Sequence, residues 1–142
     1  MNLYSTCISM ALFLFVSTEY TKANERADAI RAHYTKYECR IPVRDGITLF
    51  TAIYSPNDIS KTYPILLLRT PYSISPYGLD QYKGSLGPHE EFEKEKFIFV
   101  FQDVRGRFMS EGKFIHMTPH IADKKNNKDI DESTDTYDTI EW

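Results

Sequence analysis

The chain has 142 residues, 42% of them hydrophobic and 26% charged, with a formal net charge of -3. That length suits one modest core in a single domain. The slight acidity sets nucleic acid aside as a partner, because binding phosphates needs Lys and Arg clustered on one surface.

Near the amino end, Ile8 to Val16 (ISMALFLFV) forms a nine-residue apolar run followed by the mixed stretch Ser17 to Ala23. Crossing roughly 30 Å of hydrocarbon takes about 20 residues, so the run reads as a secretory leader and not as a membrane anchor. The small residue Ala23 suits cleavage before Asn24, although Met1 to Cys7 has no Lys or Arg. The expected mature chain, 24–142, is then secreted or periplasmic and has no stable membrane span. Cleavage removes Cys7 and leaves Cys39 alone, so no intrachain disulfide is available in a compartment that permits one. Cys39 alternates with Tyr37, Ile41 and Val43, which marks it as a buried structural thiol rather than a nucleophile.

Tyr37 to Val43 carries apolar residues at odd positions, with Glu38 and Arg40 between them, the period of a half-buried strand. Arg44-Asp45-Gly46 supplies a turn, and Ile47, Leu49, Thr51 and Ile53 resume the alternation, predicting an antiparallel hairpin. Tyr63 to Arg69 (YPILLLR) and Phe97 to Gln102 (FIFVFQ) are unbroken apolar runs too short for helices. Both are expected as strands covered on two faces, neither at a sheet edge. Between them, Pro88 to Lys96 has Pro at a first helical position, acids in the first turn and Lys at the end. Strand, helix and strand predict a βαβ unit, so the fold class is α/β, an antiparallel hairpin leading into a parallel sheet. Met117 to Asp131 is polar and reads as a surface loop. Asp131 to Trp142 then opens a helix that Asp131 or Ser133 can cap, with Tyr137 and Ile140 on an apolar face.

Few residues carry a signature of chemistry. The nucleophile elbow G-x-S-x-G is absent, and in Gly84-Ser85-Leu86-Gly87 the Ser directly follows Gly, which reads as linker. His116, His120 and Asp123 have metal-like spacing, but Pro119 breaks the helix that would align them, so neither metal nor cofactor is expected. His33 and His89 stand apart from any such group. Glu90, Glu91, Glu93 and Glu95 read as the solvated side of the short helix. At the carboxyl end of the first buried run stands Arg69-Thr70-Pro71-Tyr72. A Tyr hydroxyl there can hydrogen-bond the oxyanion of a tetrahedral intermediate, or its ring can simply pack beneath the loop.

Four segments, RIPVRDGITLFTAIYSP, YPILLLRTPY, FVFQDVRGRFMSEGKF and DESTDTYDTIEW, occur in this order. Together they resemble the start of the Xaa-Pro dipeptidyl-peptidase-like α/β hydrolases, the family that also takes in cocaine esterase and the α-amino acid ester hydrolases. DVRG followed by SEG is the most specific element. The resemblance implies a serine hydrolase with a Ser-Asp-His triad, a helical cap and a jelly-roll domain, acting on small ester, amide or peptide substrates. It assigns Tyr72 to the oxyanion hole and makes Asp103 and Arg105 part of the architecture.

Neither the triad nor the elbow occurs in the sequence, so the expected entity is the amino-terminal part of an exported serine hydrolase, a partial α/β-hydrolase fold ending before the nucleophile elbow. The alternative expectation is a non-catalytic exported domain or an unstable truncated gene product. Oligomeric state is not encoded in these motifs.

Overall fold

The computed structural model describes residues 22–142. The expected leader lies outside the described residues up to position 21, and Lys22 and Ala23 already form the first turn of a helix. That helix, α1 (22–33), has no counterpart in the sequence reading. Its four Ala and two Arg favour helix, and Ile30 with Tyr34 beyond its end bury one side.

The strands are β1 (Tyr34–Pro42), β2 (Thr48–Pro56), β3 (Ile65–Thr70) and β4 (Ile98–Asp103), in the sheet order β1-β2-β4-β3. β1 and β2 form the predicted antiparallel hairpin, with Ile41 opposite Leu49 and Tyr37 opposite Ile53. Gly46 at φ 90 supplies the left-handed turn residue, and its N–H donates to the Val43 carbonyl at 2.8 Å. β3 and β4 run parallel, joined through α2 (Glu90–Lys94), so the βαβ unit is present. The imidazole of His89, not Pro88, sets the start of α2 by accepting from the Glu91 N–H. β2 joins the two halves by pairing antiparallel with β4.

Two strand expectations need correction. β4 is central, as expected, but β3 is an edge strand among the described residues, with Ile65 and Leu68 more than half exposed. A continuous apolar run shows that a strand can be buried on both faces; it does not show which neighbours are there to bury it. In β1 the inward residues of the first half are Tyr34 and Lys36, while Tyr37 is 54% exposed. Only Ile41 and Val43 keep the predicted phase, because the two halves of β1 are covered on opposite faces.

Those faces differ in chemistry. On one, Tyr34, Phe50, Ala52, Tyr54, Phe99 and Phe101 pack with Ile30 of α1 and Ile74 and Leu86 of the loop after β3. Burying one such large side chain is worth about 1.5–3 kcal/mol, so this face supplies most of the hydrophobic stabilisation. On the other lies α3 (Glu132–Glu141), and the groups it brings are polar. Gln102 Nε2 donates to Thr51 Oγ1 and to Thr139 Oγ1, both at 3.0 Å, with Gln102 and Thr51 fully buried.

α3 starts on a capping box in which the Asp131 carboxylate accepts from the Thr134 N–H and Thr134 Oγ1 accepts from the Asp131 N–H. The sequence expectation gave this helix an apolar face at Tyr137 and Ile140. Both are exposed, and the helix docks instead through Thr134, Asp135 and Thr139. At its far end Asp138 accepts from the Arg44 N–H at 2.9 Å and from the Arg44 guanidinium at 2.6 Å, locking the helix to the hairpin turn.

These bonds from Arg44 hold the Asp138 carboxyl below the ordinary carboxylate range. A depressed folded-state pKa contributes stability that is whole above the unfolded value of about 4 and drains away as pH falls through the folded one. Asp138→Asn is therefore expected to cost about 1 kcal/mol at pH 7. The difference from the parent chain should shrink on acidification towards pH 2, read by urea unfolding at each pH; a cost independent of pH would refute the ion pair as its source.

Candidate active site

In an open α/β sheet, ligand sites gather at the carboxyl ends of the parallel strands. Here that edge is formed by two loops, one after β3 from Pro71 to Tyr82 and one after β4 from Val104 to Gly112. A buried side chain links them. Asp103 closes β4 with no solvent exposure, and its carboxylate accepts from the Ile74 N–H at 3.1 Å, the Tyr77 hydroxyl at 2.9 Å and the Met109 N–H at 3.4 Å. A buried carboxylate is tolerated only with such donors around it. Burial raises the Tyr77 hydroxyl pKa and the Asp103 charge raises it further, so Tyr77 remains a donor.

The DVRG and SEG motifs each satisfy a local requirement. Arg105 lies between two carboxylates, reaching Asp45 at 2.7 Å on the hairpin turn and Asp135 at 2.7 Å on α3. Burial opposes its charge, but the hydrogen bonds to Asp135 and Asp45 outweigh burial and raise its pKa. Gly106, at φ 68, lies so close to the Phe114 backbone that a Cβ would sit 2.1 Å from the Phe114 nitrogen. Ser110 donates to the Asp103 carbonyl at 2.6 Å and accepts from the Phe50 N–H at 2.8 Å, while Glu111 accepts from the Thr48 N–H at 2.8 Å. The two side chains thus take over the β2 donors where the β4 ladder ends. Asp103 and Arg105 are architectural, as the resemblance implied.

Tyr72 stands at the carboxyl end of β3 with its ring 82% exposed, so it is not packed beneath the loop. The backbone around it is held closely. Thr70 accepts from the Val104 N–H at 3.2 Å, Pro71 accepts from Arg107 Nε at 3.0 Å, and the Tyr72 N–H donates to Thr70 Oγ1 at 3.1 Å. Ser73, next in sequence, takes φ 77, an uncommon conformation for a non-glycine residue and one that gathers at functional loops. Its hydroxyl lies 3.0 Å from the Tyr77 hydroxyl.

The remaining candidates do not converge here. Arg69 turns to the polar face, donating to Gln102 Oε1 at 2.7 Å and to Thr136 Oγ1 at 2.6 Å. Ser85 is exposed and donates to the Gly87 carbonyl at 3.3 Å. His33 and His89 are both exposed, the first ending α1 and the second capping α2. His116 packs beside Phe114, and His120 faces the buried Asp131 carboxylate at 3.0 Å. Among the described residues no three His, Cys, Asp or Glu side chains come together as a metal site. Glu91 pairs with Lys94 on the solvated side of α2, and burial raises the half-buried Cys39 thiol pKa, away from the thiolate. No helix of the described residues is long and apolar enough to cross a membrane.

The model of the X-Pro dipeptidyl-peptidase (S15 family) matches residues 45–142, which include the hairpin turn, both loops and α3. The chain belongs to this family. It is 32% identical over 102 residues to the cocaine esterase of Rhodococcus sp. (strain MB1 Bresler), covering 72% of this chain and 15% of that protein. Two solved structures share the S15 fold seen here. An aminopeptidase from a marine sediment archaeon, Thaumarchaeota archaeon, has 38% identity and a TM-score of 0.63. A selenomethionine-labelled α-amino acid ester hydrolase has 35% identity and a TM-score of 0.60. Each comparison covers 78% of this chain and 18% of the other, so the chain spans less than a fifth of the length of these relatives.

Sequence reasoning singled out Tyr72 and the strand-end loop with Asp103, Arg105 and Ser110, but not Ser73 or Tyr77; nothing in sequence spacing links Tyr77 to Asp103, which is 26 positions away. The cradle at Gly106 is directly testable. Gly106→Ala is expected to lower stability by about 3 kcal/mol or more, combining left-handed strain with a backbone clash, measured as the shift in urea midpoint at constant m. A midpoint within experimental error of the parent would show that the loop yields.

Proposed function

We propose that this chain forms the oxyanion side of an exported S15 serine hydrolase that cleaves small ester, amide or peptide substrates through an acyl-enzyme. The observation that carries the reading is the exposed Tyr72 at the carboxyl end of β3, on a loop tied to the buried Asp103. A phenolic hydroxyl presented from a fixed backbone is the donor an oxyanion requires, since its hydrogen bond strengthens as charge develops on the carbonyl oxygen.

In this reading the nucleophilic Ser, the acid and the His come from the length of the family that this chain does not span. Ser Oγ attacks the carbonyl carbon while His takes its proton, and Tyr72 O–H with a backbone N–H receives the oxyanion. Collapse expels the alcohol or amine, protonated by His, and water then hydrolyses the acyl-enzyme by the same steps. Tyr72 needs only to donate, so the role requires no change in its protonation. Export is supported by the apolar run Ile8 to Val16 and the small residue at Ala23.

Two measurements test the proposal. In the protein that continues into the catalytic half, Tyr72→Phe is expected to lower kcat by about 100- to 1000-fold with an unchanged unfolding midpoint. Unchanged kcat would remove Tyr72 from the oxyanion hole. The purified 142-residue chain, having no elbow Ser, is expected to remain unlabelled by a fluorophosphonate probe; stoichiometric labelling would require a nucleophile within it.

A further inference from the structure

Lys36 is the least expected residue of the apolar face. It stands on β1, an edge strand among the described residues, yet its side chain has no solvent exposure. Its ammonium donates to three backbone carbonyls of the loop after β3, Pro76 at 2.8 Å, Gly78 at 2.9 Å and Gln81 at 2.9 Å. A fourth oxygen, Glu38 Oε1, lies at 2.8 Å, and that same oxygen accepts from the Gly78 N–H at 2.7 Å. Four oxygens around three N–H groups form a cage closed on a tethered cation. The desolvation cost of such a charge is large, so a buried ammonium is retained only where carbonyls and a counter-charge enclose it.

The cage has a route to Tyr72 by direct contacts. Pro76 and Gly78, two of the carbonyls held by Lys36, flank Tyr77. The hydroxyl of Tyr77 meets Ser73 Oγ at 3.0 Å and Asp103 Oδ2 at 2.9 Å, and Ser73 follows Tyr72 in the left-handed conformation. The Tyr77 ring also packs edge-on against Phe50, their centroids 5.6 Å apart, which leaves it little freedom to swing. One end of the loop is therefore held at Asp103 and the other at Lys36, with Tyr77 bonded to the first anchor and its two chain neighbours to the second.

We infer that Lys36, with Glu38, is a positioning residue for Tyr72: it fixes the loop from Ser73 to Gln81 through a carbonyl cage and so sets where the Tyr72 hydroxyl is presented. The inference rests on the proposed oxyanion role of Tyr72 for its consequence, but not for the cage itself. An error of about 1 Å in such a donor costs roughly 100-fold in rate, so a residue far from the chemistry can govern it.

The cage is tested in the 142-residue chain by hydrogen exchange. Lys36→Met keeps the length of the side chain and removes the charge; amides from Ser73 to Tyr82 are expected to exchange at least about tenfold faster while those of β2 and β4 keep their protection. If Lys36→Met unfolds the whole chain, Glu38→Gln gives the same reading, since it retains an oxygen for Gly78 but withdraws the counter-charge. Unchanged exchange in this loop would overturn the cage. The link to Tyr72 is tested by a double-mutant cycle in the catalytically complete protein. Lys36→Met is expected to lower kcat about tenfold or more with KM nearly unchanged, and to cost little further in a Tyr72→Phe background. Independent, multiplying effects would make Lys36 merely structural. A silent Tyr72→Phe would instead remove the oxyanion reading while leaving the exchange result to decide the cage.

Discussion

Asp103 is a carboxyl group with no solvent contact at the end of the central strand. Three donors surround it, and two of them, the Ile74 N–H and the Tyr77 hydroxyl, belong to the loop of the neighbouring strand. A carboxylate in that position cannot be left half-satisfied, because each missing donor exposes a penalty of several kcal/mol. The requirement runs in both directions. The donors fix the carboxylate, and the carboxylate obliges the loop bearing Tyr72 to adopt one shape.

The two faces of the sheet divide the labour of stability and registration. The aromatic face under α1 and the loop after β3 buries large side chains, whose contribution depends on area and tolerates some variation in shape. The face under α3 is built from Gln102, Thr51, Thr139, Arg69, Arg105 and Asp135, whose contributions depend on angle and distance. Such a layer adds modest net stability for each bond but admits few alternative dockings of the helix. Arg105 shows the consequence, since one guanidinium ties the hairpin turn, the loop after β4 and α3 together.

On the proposed function, this organisation would prepare an oxyanion donor in advance of the nucleophile. Under the proposed oxyanion role, the exposed side chain of Tyr72 is the part left for chemistry, while Thr70, Pro71, Ser73 and Tyr77 are occupied in holding the backbone around it. A donor held before substrate arrives costs no reorganisation when charge develops. On that proposal, rigidity in the loops after β3 and β4 serves function as well as structure.

Much of this was already written in the order of residues. Alternation with Asp45-Gly46 between its halves specified the hairpin, two short apolar runs flanking an acid-to-base helix specified the βαβ unit, and the RTPY, DVRG and SEG segments marked the family, because each depends on neighbours near in sequence. Three outcomes depended on contacts between distant residues. Among the described residues β3 is an edge because sheet order is set by which strands find partners, Tyr137 and Ile140 face solvent because α3 found a polar surface to dock on, and Lys36 went inside because a loop about 40 positions away closed three carbonyls over it beside Glu38. Hydrophobic pattern reports only that burial is favourable. Which surface meets which, and whether a buried charge has donors or acceptors waiting for it, is decided when the chain closes on itself.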